Sequence, residues 1–235
     1  MRLFAIHIAF LLMLLSCGDQ QNRNFVTKNQ SPQFLNEAFF YPYDTIPRIY
    51  KYRDVVHGMR ENFHRVYGIR DAFGPHIIVE KYIDGRRLTE AYNYSKDSLK
   101  VMDHMVVDAF GKNEKAMIYR NDLFPEDTSE VYFASKFSGL TDSTVLFFEC
   151  YRKIEGFEER TIMSQKTDCM KLNEVSSITN MDVTSRKESK PMTRNMNLFF
   201  GEGLGLVEWY DDDKIVHYVL EEILTQEEWI KLISR

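Results

Sequence analysis

The sequence predicts a mainly β protein: a single strongly curved antiparallel sheet or partial barrel, with one helix at its C-terminus. Three observations lead there. Aromatic residues make up 14% of the chain, with 17 Phe, 13 Tyr and 2 Trp against only 6 Pro and 11 Gly. That balance suits strands packed through large side chains rather than a fibre or a disordered tail. Short alternating segments follow one another across short turns, and no long helical period falls between them, which disfavours a βαβ layout. Only the final stretch, Thr225-Gln226-Glu227-Glu228 followed by Trp229, Ile230, Leu232 and Ile233, carries a helical cap and an amphipathic face.

The chain opens Met1-Arg2 and then runs from Leu3 to Leu15 almost without polar groups. A positive charge followed by a short apolar run is the pattern of a secretory signal. The run falls short of the roughly 20 apolar residues that a spanning helix needs. It stops at Ser16-Cys17-Gly18-Asp19. Residues 1–16 are therefore expected to be a removed signal. Residues 17–38 are rich in Asn, Gln and Ser, the composition of a flexible tether. Residues 39–235 are expected to form one domain, with Phe39-Phe40-Tyr41-Pro42-Tyr43 as its aromatic entry.

Within the domain, Arg48 to Arg53 alternates as a first strand, and residues 54–60 read as a turn or short helix. Strands follow near 62–69, 76–82, 88–94, 99–107 and 114–119. Asp84-Gly85 is a tight hairpin turn between two of them. In the strand at 88–94, Leu88, Glu90, Tyr92 and Tyr94 share one face. Val131-Tyr132-Phe133 and Thr144 to Tyr151 are strongly strand-like. Glu155-Gly156-Phe157-Glu158 reads as a turn, and residues 160–171 alternate loosely. The polar stretch 180–194 reads as an exposed loop. Residues 197–200, 204–210 and 214–220 complete nine to eleven strands, with Asp211-Asp212-Asp213 as the last turn. A sheet of that size must curl, split or close.

Leu14-Leu15-Ser16-Cys17 resembles the lipobox of bacterial lipoproteins. That resemblance implies a lipid attached to Cys17, cleavage just before it, and an anchor in a membrane of the cell envelope, the outer membrane being the expected one. Gly18-Asp19-Gln20 leaves open whether the domain faces the periplasm or the surface. In outline the predicted domain resembles envelope lipoproteins and lipoprotein carriers built on a half-open antiparallel barrel with a helix across its mouth. That architecture implies a concave face that holds acyl chains. Gly201-Glu202-Gly203-Leu204-Gly205-Leu206-Val207-Glu208-Trp209 also resembles a strand near the end of Bacteroidetes-type envelope lipoproteins, which carries no assigned chemistry.

With 30 basic and 35 acidic residues and a net charge of −5, the chain has no dense basic block, and nucleic acid is not an expected partner. Besides Cys17, Cys150 and Cys169 can pair in an oxidising compartment or stay as buried thiols. They form no CxxC pair.

No catalytic, cofactor or metal site is predicted. Gly201-x-Gly203-x-Gly205 lacks the spacing of a dinucleotide loop and runs into a strand rather than a helix. Asp211-Asp212-Asp213 lacks the ligand spacing of a calcium loop. His57, His64, His76, His104 and His217 are scattered. Tyr82, Tyr92, Tyr94, Phe147, Tyr151, Trp209 and Tyr218 are either core or the lining of a concave apolar pocket. The expected function is therefore a membrane-anchored, non-catalytic binding or scaffold domain. Carriage of an apolar or lipid ligand and an envelope hydrolase stand as alternatives. Its partners would be the membrane through Cys17, an envelope protein complex or an apolar ligand.

Overall fold

Along β1 (Arg48–Asp54), Tyr50, Tyr52 and Asp54 turn to one side while Ile49, Lys51 and Arg53 turn to the other. Such alternation gives each strand two faces. Tyr50 and Tyr52 join the large core cluster, whereas Ile49 belongs to a second, smaller cluster on the opposite face. The structure, a computed structural model, describes residues 35–108, 111–139 and 141–234. The signal segment, Cys17 and most of the tether lie outside the described residues.

The strands after β1 are β2 (Glu61–Asp71), β3 (Gly74–Ile83), β4 (Arg87–Ser95), β5 (Val101–Val107), β6 (Asn113–Lys115) and β7 (Met117–Asn121). Then come β8 (Glu130–Ser138), β9 (Thr144–Ile162), β10 (Gln165–Asp182), β11 (Lys187–Glu188), β12 (Met192–Gly201), β13 (Gly205–Asp211) and β14 (His217–Thr225). Helix α1 (Gln226–Ile233) ends the chain. The described strands form one antiparallel sheet in the order β6-β5-β4-β3-β2-β1-β14-β13-β12-β10-β9-β8-β7, with β11 on β10. β1 pairs with β14 from Arg48↔Thr225 to Asp54↔Tyr218, so the two ends of the domain lie side by side. The two edge strands, β6 and β7, are separated in sequence by Ala116 alone, whose N–H donates to the His104 carbonyl at 2.8 Å. This one bent segment reaches β5 with its first half and β8 with its second, leaving a nearly closed barrel.

The predicted fold class is therefore the observed one, with particular corrections. Fourteen strands stand where nine to eleven were expected. Glu155-Gly156-Phe157-Glu158 is no turn: β9 runs through it as a continuous strand paired with β10, and the register shift falls where Gly156 and Ile154 succeed each other opposite Lys171 and Leu172. The extra residue is Glu155: a bulge there, rather than a chain reversal, marks the point, and Gly156 stays paired with Lys171. The reversal comes at Met163-Ser164, both with positive φ (48° and 66°). The polar stretch 180–194 is largely a hairpin, with the ends of β10 and β12 and the short β11 inside it. Cys150 and Cys169 are free and buried. They do lie on neighbouring strands, but Cys150 faces Ser176 and Cys169 faces Glu158. Seven residues along β10 separate those positions by ~23 Å, far beyond disulfide reach.

The N-terminal segment plugs one end of the barrel. Asn36, assigned to the tether by composition, is buried and already part of the fold: its N–H donates to Glu126 O at 2.9 Å and its side chain to Pro125 O at 2.7 Å. A short 3-10 helix, Glu37–Phe39, follows. Phe40 then packs edge-on against Tyr94 and Phe124, and Tyr41 against Tyr50. Gly205, at φ 82°, makes room for the plug, since a Cβ there would lie 2.3 Å from the Tyr41 ring. The glycine-rich 201–205 stretch is thus a turn that receives the plug.

Helix α1 begins with a complete capping box between Thr225 and Glu228. Trp229, with Leu232 and Ile233 behind it, covers Ile49 and Phe63. These residues face away from the barrel interior. The helix thus lies along the outer wall, not across the mouth as in the carriers that the sequence resembles.

Candidate functional site

Inward-facing side chains change their exposure along the barrel axis. Toward the plug they are sealed: Tyr50, Ile77, Val79, Tyr94, Met170 and Leu172 are all buried. Toward the other end seven strands reach half-buried inward positions: Lys81 on β3, Glu90 on β4, Phe137 on β8, Phe148 on β9, Ile178 on β10, and Trp209 and Tyr218 on β13 and β14. On β12 the inward series runs from buried Leu198 and Met196 to exposed Arg194 and Met192. The inner face is thus sealed at one end and half-exposed at the other, and this half-exposed inner face is the cup; a cavity of about 300 Å³ lies outside it, lined by Glu61, Phe63, Asp84, Arg86, Leu232 and Ile233.

Its floor and wall are aromatic. Tyr52 and Trp209 meet edge-on at 4.7 Å, Tyr218 stacks on Trp209 at 4.9 Å, and the His64 ring lies parallel to Trp209. His64 Nδ1 sits 2.9 Å from the Tyr41 hydroxyl. Burial, with the Lys81 charge nearby, lowers the His64 pKa to about 3, so the imidazole is neutral and shares a hydrogen bond with the Tyr41 hydroxyl.

Two ion pairs break this lining: Arg152 with Glu174, Nε to Oε2 at 2.8 Å, and Lys81 with Glu90. Lys81 and Glu90 face each other across β3 and β4, Nζ to Oε2 at 2.7 Å, with side chains 33% and 23% exposed. Glu90 Oε1 also accepts from Tyr92 Oη at 2.5 Å and from His104 Nε2 at 2.9 Å. The His104 ring stacks on Tyr92 at 4.5 Å, and its Nδ1 lies 3.0 Å from Ser135 Oγ. Burial alone would raise the Glu90 pKa. The Lys81 charge and the His104 hydrogen bond outweigh that and hold the carboxyl well below its ordinary range. Glu90 is therefore a carboxylate wrapped by donors.

The sequence Ser135–His104–Glu90 has the connectivity of a nucleophile, base and acid. Ser135 and His104 are at most 1% exposed. Both ring nitrogens are engaged, and the part of the relay that meets the cup is Glu90 with Lys81. The relay fixes that ion pair from behind.

Of the seven aromatics singled out by sequence, Tyr92, Tyr94, Trp209 and Tyr218 face the interior. Tyr82 packs under the helix, Phe147 alternates outward on β9, and Tyr151 is exposed against Tyr132. On β4, Leu88 leaves the face of Glu90, because the register skips from Lys81↔Glu90 to Tyr82↔Leu88. The other histidines stand apart: His57 beside Asp54, His76 between Asp71 and Asn93, His217 on Glu208. Asp211 and Asp212 accept from Val216 N–H and from the Asn197 side chain around their turn. Among the described residues no three His, Cys, Asp or Glu side chains converge as a metal cage requires. Lys81 and Ser135 escaped the sequence reading. The available signal was Lys81 following Ile77 and Val79 at the period of a buried face.

No protein-family model matches the chain, and no curated protein matches it in sequence. Two solved structures are similar in shape. One is a protein named as exported, with a YmcC-like fold, from Bacteroides fragilis NCTC 9343: 12% identity, TM-score 0.41, covering 80% of this chain and 99% of that one. The other is a protein named as a lipoprotein from Parabacteroides distasonis ATCC 8503: 15% identity, TM-score 0.37, covering 83% of this chain and 100% of that one.

Proposed function

We propose that this protein is an envelope lipoprotein, held at the outer membrane through lipid on Cys17, whose cup binds the apolar part of a small amphiphilic ligand without catalysing its conversion. The exposure gradient along the barrel carries this reading. Phe148, Ile178, Trp209 and Tyr218 stand half-buried on the inner face of a barrel that is sealed at its plugged end. Concave, mostly apolar linings with a few placed polar groups are how small-molecule sites are built. The outer wall supports a tethered rather than a spanning role. Lys51 with Glu61, Glu221 and Glu222, Arg65 with Glu80, and Lys171 with Glu155 place ion pairs around it. Such a surface suits water, whereas a lipid-facing wall is an apolar band.

The binding reading is tested by titrating the mature protein with an apolar fluorescent dye and displacing it with long-chain amphiphiles. Saturable binding is expected, weakened about tenfold or more by Phe148→Asp or Ile178→Asp in the cup wall. Dye affinity unchanged in both variants would place the ligand elsewhere and sink the reading. The anchor is tested separately by mass spectrometry of protein isolated from its native host. The expected species begins at an acylated Cys17; an unmodified Cys17 with residues 1–16 still attached overturns it.

A further inference from the structure

We propose that the ligand of the cup carries an anionic head, a carboxylate or a phosphate, and that Lys81 is the group that reads it. The inference rests on the binding reading above and names the ligand class for the same site.

Glu90 Oε1 accepts from both Tyr92 and His104, and Oε2 accepts from Lys81. The carboxylate thus holds three donors and offers little to a newcomer. An ammonium has three N–H donors. Lys81 spends one on Glu90 and rests its charge over the Tyr92 ring at 4.8 Å. Its side chain remains a third exposed, facing the same interior as Trp209 and Phe148. The spare capacity of the ion pair is therefore cationic and donating.

The relay behind Glu90 sharpens this. With Tyr92 and His104 both donating to it, the carboxylate does not depend on Lys81 alone for its charge to be tolerated. Lys81 can share its charge with a second anion without stripping Glu90 of partners. The groups that face Lys81 fit that role. His64 across the β2–β3 ladder is uncharged at neutral pH, and Tyr92 presents its ring face. Glu90 is the one acid paired with Lys81. A long-chain carboxylate or phosphate would lay its chain along Phe148, Ile178 and Trp209 and its head on Lys81. A charge-assisted contact of this kind is stronger than a neutral one.

Competitive displacement of the bound dye, with hexadecanoate, hexadecyl phosphate, hexadecanol, hexadecyltrimethylammonium and inorganic phosphate as probes, tests the assignment. Wild-type protein is expected to bind hexadecanoate or hexadecyl phosphate about tenfold more tightly than hexadecanol. Lys81→Met should bring the acid and the alcohol within about twofold of each other, and Lys81→Arg should restore the preference. Should Lys81→Met fail to fold, the double variant Lys81→Met/Glu90→Gln removes both charges together and reads the same preference. Inorganic phosphate that competes as well as hexadecyl phosphate would make the site an anion site without a tail, and overturn the amphiphile. Equal binding of acid and alcohol by the wild type, or a preference that survives Lys81→Met, overturns the role of Lys81 while leaving the apolar cup intact. Failure of every long-chain probe to displace the dye would instead overturn the binding reading itself.

Discussion

His64 is neutral in the folded protein because its ring is sealed among Tyr41, Tyr52 and Trp209, with Lys81 as the charge that opposes protonation. The unfolded chain has no such restraint and protonates near pH 6.5. Between that value and about 3 the unfolded state takes up a proton that the folded state refuses. The stabilisation from a neutral His64 is complete above about pH 6.5 and shrinks as the pH falls toward 3. Glu90 acts in a lower window. Its folded pKa lies below the ordinary 4.5, so its contribution is full above that value and is lost as the pH falls through the folded one. Thermal midpoints followed by circular dichroism should therefore fall from pH 7.5 to 5. His64→Gln, which keeps a hydrogen-bonding group beside Tyr41 but cannot titrate, should flatten that slope. An identical slope in the variant would assign the acid sensitivity to other groups. The sequence showed His64 as one of several scattered histidines, because the three rings that desolvate it come from three distant segments. Lys81, Glu90, His104 and Ser135 were hidden for the same reason: four strands contribute one side chain each, and local spacing records none of their contacts.

At the scale of elements, sequence was most informative where the physics is local. Thr225 and Glu228 cap helix α1 within one turn, and Asp84-Gly85, with φ of 55° and 68°, closes the β3–β4 hairpin through residues that tolerate the left-handed region. Both features stand in the chain as adjacent letters. The β9–β10 hairpin defeated local reading. Its true turn, Met163-Ser164, takes positive φ without a glycine or asparagine, while Gly156 sits inside a strand. Pairing along eighteen residues of β10 imposes both against local preference. The capped helix yields a stability test. Thr225→Ala removes one side of the capping box and should cost about 1 kcal/mol. Trp229→Ala uncovers Ile49 and Phe63 and should cost ~3 kcal/mol or more. Urea unfolding measures both. A Trp229→Ala loss no larger than that of Thr225→Ala would mean that the helix contributes little to the wall it covers.

Among the described residues two apolar clusters form, and on β1 and β2 they occupy opposite faces of the same strands. On β1, Tyr50 and Tyr52 point into the cup side and Ile49 to the helix; on β2, His64 and Val66 point in and Phe63 out. Neither cluster can come apart without disturbing the strands that carry the other. β1 is also the strand that closes the barrel onto β14, and α1 continues directly from β14. Long-range closure of this kind makes the fold all-or-none, since the first and last strands must meet before either is paired on both sides. The two tryptophans report on the two faces separately, Trp209 from the cup and Trp229 from the outer helix. Trp209→Phe leaves a fluorescence signal from the helix alone, and Trp229→Phe leaves one from the cup alone. In each variant the fluorescence midpoint in urea should coincide with the midpoint of sheet loss followed by circular dichroism. A Trp229 signal that changes at clearly lower urea than the sheet would show the helix to be a separable attachment, detached before the barrel opens. A Trp209 signal that changes first would show that the cup loosens at its mouth while the plugged end stays folded, the division of stability that the exposure gradient would then have to explain.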